Sequence, residues 1–153
     1  MTLHSFFLRL AVAATLVAGA AASLAADAGA DAMAVRHVLM AQFDKPEARL
    51  SVEPVVVSGD AAVASWAQGE RGGRALLFRH GQGWQIAICA GDALKDAKVL
   101  QESGVKPGDA TSLASALASA EATLSAAQRA KFASFDGFLR MDGNGQHPPA
   151  HTH

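Results

Sequence analysis

Between Leu50 and Gly91 the chain alternates short apolar runs with glycine-bearing breaks at Ser58-Gly59-Asp60, Gly69-Glu70-Arg71-Gly72-Gly73 and His80-Gly81-Gln82-Gly83. Breaks this short allow only hairpins, since a parallel crossover needs about a dozen residues or more. The pattern therefore predicts a four-stranded antiparallel meander. In its last strand, alternation sets Trp84, Ile86 and Ile88 on one face and Gln85, Ala87 and Cys89 on the other. In the third, Leu76 and Phe78 share a face, with Arg74 and His80 at the ends. In the second, Trp66 opposes a mostly small face of Val63, Ser65 and Ala67. The first strand, about Leu50 to Val57, contains Pro54, which lacks an amide donor and predicts an edge or bulged strand.

Outside the meander the period changes from two to 3.6. Val35, Leu39 and Phe43 recur at i, i+4 and i+8, which predicts a helix over 32–43 that ends before Pro46. After the meander, Asp92 is placed to cap a second helix packed through Leu94, Val99 and Leu100, with Gly104 as its terminating glycine. A turn over Lys106-Pro107-Gly108-Asp109 leads to a third helix, Ala110 to Leu124, carrying Leu113, Leu117 and Leu124. Ser125 and Gln128 have the spacing of a capping box, opening a short fourth helix through Phe132 and Phe135 to about Leu139. The expected fold is α+β: an N-terminal helix, a meander with one face covered, then two to three C-terminal helices.

Composition narrows the class. The 153 residues suit one domain, and the net charge of −1 offers no basic excess for nucleic acid. Arg9, an apolar run from Leu10 to Ala22 and the small-x-small triplet Ser23-Leu24-Ala25 have the form of a bacterial signal peptide cleaved after Ala25. The run is short and alanine-rich for a bilayer span, so no stable membrane insertion is expected after cleavage. The expected organisation is a signal peptide at 1–25, a linker at 26–31, a domain at 32–140 and a His-bearing tail at 141–153. The expected location is the periplasm or the outside. One cysteine, Cys89, leaves no intramolecular disulfide to staple an exported chain.

Candidate chemistry is concentrated in the tail. His147, His151 and His153 fall within seven residues, close after Met141. Imidazole suits copper, zinc and nickel, and a polar segment that cannot bury a core suits capture and release. The plain alternative is an unselected polar terminus. Met33, His37 and Met40 lie at i, i+4 and i+7 and form a weaker soft-metal set on the first helix, where methionines more often pack a core. Cys89 is a further soft donor, although a lone strand cysteine is more often a small buried hydrophobe. His80 reads as a solvated turn residue. A different class of function, a small apolar-ligand module, would use a pocket lined by Trp66, Phe78, Trp84 and Ile86. A non-catalytic scaffold of an import complex is a third. No nucleophile elbow, phosphate loop or His-Glu-x-x-His pattern is present, and an enzyme is not expected.

Several segments resemble a family. Phe43-Asp44-Lys45-Pro46-Glu47, Pro54-Val55-Val56-Val57 with Gly59-Asp60, Gly72-Gly73-Arg74-Ala75-Leu76-Leu77, Gly83-Trp84-Gln85-Ile86, Cys89-Ala90-Gly91-Asp92-Ala93-Leu94 and Arg140-Met141-Asp142-Gly143 are similar, in that order, to the small exported bacterial copper uptake system-associated proteins. The resemblance covers roughly Met33 to Met141. It implies association with copper transport components of the cell envelope, with a copper ion as cargo and no reaction. The order of helix and sheet also looks like a cystatin-like or NTF2-like arrangement.

Overall fold

The structure, a computed structural model, describes residues 18–141, with side chains from 27 onward. Helix α1 (Ala18–Phe43) precedes strands β1 (Leu50–Ser58), β2 (Ala61–Gln68), β3 (Arg71–His80) and β4 (Gly83–Ala90). A 3-10 turn (Asp92–Lys95) and helices α2 (Ala97–Glu102), α3 (Pro107–Ala122) and α4 (Ala126–Ala133) follow, and a short β5 (Phe138–Arg140) closes the described chain. The α+β class and the meander are as expected. The sheet is antiparallel with order β1-β2-β3-β4-β5, so it has five strands and not four.

The three hairpins are set by their glycines. Ser58 pairs with Ala61, Gln68 with Arg71 and His80 with Gly83, which leaves two-residue turns that begin at Gly59, Gly69 and Gly81. All three have φ near +60°, the sign that primed hairpin turns require at that position. The middle loop is thus shorter than the glycine run suggests, and Gly72 and Gly73 belong to β3. At Gly72 a Cβ would lie 2.7 Å from the Lys131 carbonyl oxygen and 2.9 Å from that of Trp66. Backbone groups cannot step aside, so the glycine lets α4 lie against the sheet. Gly72→Ala is expected to destabilise the fold by about 1–3 kcal/mol in urea unfolding, the usual range for overpacking. A change below ~0.5 kcal/mol, the level of an innocuous surface substitution, would show that α4 does not press there.

Pro54 behaves as its chemistry demands: β1 is an edge strand, and its register with β2 shifts between Val52 and Val55. A second bulge corrects the face assignment in β4. Leu76 pairs with Ile88 but Leu77 pairs with Ile86, so Ala87 is the extra residue. Alternation restarts there. Trp84, Ile86 and Cys89 join the cluster under α1, whereas Ile88 joins the cluster on the opposite face.

Both faces of the sheet are covered, which corrects the one-sided expectation. Val35 and Leu39 of α1 pack with Val52, Ala62, Leu77 and Ile86 on one side. Leu100 of α2 and Leu113 and Leu117 of α3 pack with Val63, Leu76 and Ile88 on the other. That explains why β2 and β3 are buried at consecutive positions, the signature of a strand covered twice.

The ends also differ from expectation. The stretch 26–31, read as a linker, is helical and continues α1; its alanines favour helix intrinsically. Asp31 within it accepts two hydrogen bonds from Arg79, at 3.0 and 2.6 Å, and one from Trp84 Nε1 at 3.3 Å. The Arg79 hydrogen bonds, with Arg79's charge and the Trp84 bond, outweigh burial and hold the Asp31 carboxyl below its ordinary value. Asp92 is not a cap; Asp96 caps α2 by accepting from Lys98 N at 2.7 Å. Pro107 opens α3 at N1, where its missing donor costs nothing. The Ser125–Gln128 capping box forms as expected, but α4 ends at Ala133. Leu139 lies in β5, paired with Cys89.

Candidate functional site

At one end of the α1-facing side of the sheet, five segments leave a cavity of about 150 Å³. Leu39 and Phe43 come from α1, Leu50 from β1, Trp66 and Gln68 from β2, and Cys89 from β4. Phe135, Leu139 and Met141 complete the wall from the segment after α4. Trp66 and Phe135 meet edge to face, with centroids 5.9 Å apart and planes at 80°, the arrangement their ring quadrupoles favour. Gln68 Nε2 donates to the carbonyl oxygens of Phe43 at 2.8 Å and Ala48 at 2.7 Å. This fixes the end of α1 and uses both amide hydrogens. Met141 is held by its backbone, whose N–H donates to Ala87 O at 2.8 Å. A second, more polar hollow of about 390 Å³ shares Trp66, Gln68 and Phe135 and adds Arg71, Gly72, Ser134 and Asp136.

Two of the sequence-derived metal candidates, Cys89 and Met141, line the cavity together. Burial pushes the Cys89 thiol up to about 11, so at neutral pH it is a thiol and not a thiolate, inert as a nucleophile. The first-helix set does not join them. Met33 is 63% exposed, His37 is exposed, and Met40 is half-buried against the core without lining the cavity. His147, His151 and His153 lie outside the described residues. Among the described residues no three His, Cys, Asp or Glu side chains converge, and no helix is long and apolar enough to cross a membrane.

The pocket expected from Trp66, Phe78, Trp84 and Ile86 does not form. Only Trp66 lines the cavity. Phe78 packs on the opposite face, and Trp84 and Ile86 are buried in the core. Trp84 is covered by the Arg79 guanidinium 4.5 Å above its ring. His80 is exposed at the end of β3, as read from the sequence.

The sequence reading missed a buried polar cluster on the other face. Arg74 Nε and Nη2 donate to Glu121 Oε1 and Oε2 at 2.8 and 2.7 Å. Ser65 Oγ donates to Oε1 at 2.7 Å. Arg74 Nη1 reaches Asp92 Oδ1 at 3.0 Å and Phe132 O at 3.3 Å. Arg74 is 1% and Glu121 2% exposed, and no buried side-chain polar atom among the described residues lacks a partner. Each guanidinium nitrogen has a protein acceptor, which suits a structural role. The cluster ties β2, β3, α3, the 3-10 turn and the end of α4 into one body. The overlooked signal was spacing: Glu121 follows Leu113 and Leu117 at i+8 and i+4, on the stripe that faces the sheet.

No family model, curated protein or solved structure matches the chain.

Proposed function

We propose that the protein is an exported bacterial accessory of copper uptake that binds or passes copper through His147, His151 and His153, with Met141 as an added soft donor. It acts as a carrier and not as an enzyme, and its partners are copper transport components of the cell envelope. The observation that carries this reading is the root of the tail. β5 pairs with β4, and Met141 N–H is bonded to Ala87 O at 2.8 Å, so the chain is tied to the sheet as far as the proposed thioether donor. Neutral imidazoles suit Cu(II), and a thioether beside them suits Cu(I). The helix-then-meander order is also compatible with a cystatin-like or NTF2-like arrangement.

Copper titration of the protein beside a version ending at Gly145 tests the reading. The intact protein should take up one tightly held Cu(II) at pH 7.4 and release it as the pH falls through ~6.5, where imidazole protonates. The shortened version should bind at least tenfold more weakly. Equal affinities would discard the tail as the site.

A further inference from the structure

We propose that the cavity between α1 and β5 is a binding site for a neutral, single-ring aromatic compound bearing one hydrogen-bond donor, of the phenol type. Such binding needs no copper.

Size comes first. Cavities of about 150 Å³ lined by aliphatic and aromatic side chains stay dry and accept benzene, and this one has that volume. The wall chemistry agrees. Leu39, Phe43, Leu50 and Leu139 supply hydrocarbon, the Trp66–Phe135 pair supplies ring edges and faces, and no charged side chain contributes to the wall. A carboxylate or ammonium entering it would lose its water without gaining a counter-charge.

One polar group sets the orientation. Gln68 spends both amide hydrogens on Phe43 O and Ala48 O, so its remaining hydrogen-bonding capacity is its carbonyl oxygen, an acceptor. A ligand hydroxyl or ring N–H that reaches it would gain an acceptor; a ligand with only acceptors would find both Gln68 hydrogens already used. An outer hollow shares Trp66, Gln68 and Phe135 with the cavity and carries one charge of each sign, Arg71 and Asp136. Trp66 lines both spaces, which would make it a reporter of occupancy.

The test is a titration of the metal-free full chain with phenol and, separately, benzoate, followed by side-chain NMR. Phenol should saturate at millimolar concentration or below, with shifts confined to Trp66, Phe135, Leu139, Met141 and Cys89, and benzoate should bind at least tenfold more weakly. Cys89→Leu, which adds bulk at the cavity wall, should weaken phenol at least tenfold and leave the copper titration unchanged. Failure of phenol to saturate, equal binding of benzoate, or shifts centred elsewhere would each overturn the proposal. Should Cys89→Leu not fold, the location of the phenol shifts on the unaltered protein decides. Because the titration is run without metal, its failure would leave the copper reading standing, and the converse also holds.

Discussion

Glu121→Ala is expected to destabilise the protein by about 3–5 kcal/mol, because removing one partner of a buried pair strands the other charge. Arg74 is 1% exposed, and two of its guanidinium nitrogens would lose their acceptor at once. Asp92 Oδ1 and Phe132 O would still accept from Nη1, but Asp92 is largely exposed and its pull is screened by solvent. The replacement of both partners by apolar residues, Arg74→Met with Glu121→Leu, should recover most of the loss, since neither charge then has to be desolvated. Urea unfolding of the single and double variants separates these terms. A loss below ~1 kcal/mol for Glu121→Ala, the level of an exposed salt bridge, would mean that the pair is not buried as described.

The same pair sets a pH dependence. Burial by itself would raise the Glu121 carboxyl, but hydrogen bonds from Arg74 and Ser65, with the charges of Arg74 and Lys95, bring it below its ordinary value of 4.5. A carboxyl with a depressed folded-state pKa stabilises the fold above its unfolded value. It loses that contribution as the pH falls from about there through the lower folded value. The intact protein should therefore weaken on acidification below pH 4.5, and Glu121→Ala should lack that component of the slope. Identical slopes would contradict the assignment.

Leu76→Ala and Leu77→Ala are each expected to cost about 2–5 kcal/mol. These residues are sequence neighbours, so they point to opposite faces of β3, and both are fully buried. Leu77 packs in the cluster with Val35 and Leu39, and Leu76 in the cluster with Leu113 and Leu117. A sheet covered on one side would show one large loss and one within about 0.5 kcal/mol. Two large losses in urea unfolding establish two cores; one small loss would remove a helix layer from the description.

Local demands were legible in the chain. The positive φ required at Gly59, Gly69 and Gly81, the reciprocal bonds of Ser125 and Gln128, and the missing donor of Pro54 each involve a few adjacent residues. Features that need a distant partner were not. The bulge at Ala87 is a property of β3 and β4 together, so alternation within β4 alone put Ile88 on the wrong face. β5 spans only Phe138–Arg140, too few residues for a period, and it forms because the edge of β4 is open to it. Arg74 and Glu121 are 47 positions apart, and the cavity draws its wall from five separate segments. Trp66 and Cys89 were picked out as individual residues, but nothing local to either marks them as neighbours.

Under the proposed function, copper is held by the imidazoles after Met141, with Met141 as an added donor, and not by Cys89. Electron paramagnetic resonance of the full chain loaded with one equivalent of Cu(II) at pH 7.4, with its optical spectrum, addresses that claim directly. Nitrogen superhyperfine structure from two or more imidazoles, absent from the version ending at Gly145, is the result expected. A thiolate-to-copper charge-transfer band that vanishes in Cys89→Leu, or a signal unchanged by the truncation, would place the ion in the body and contradict it.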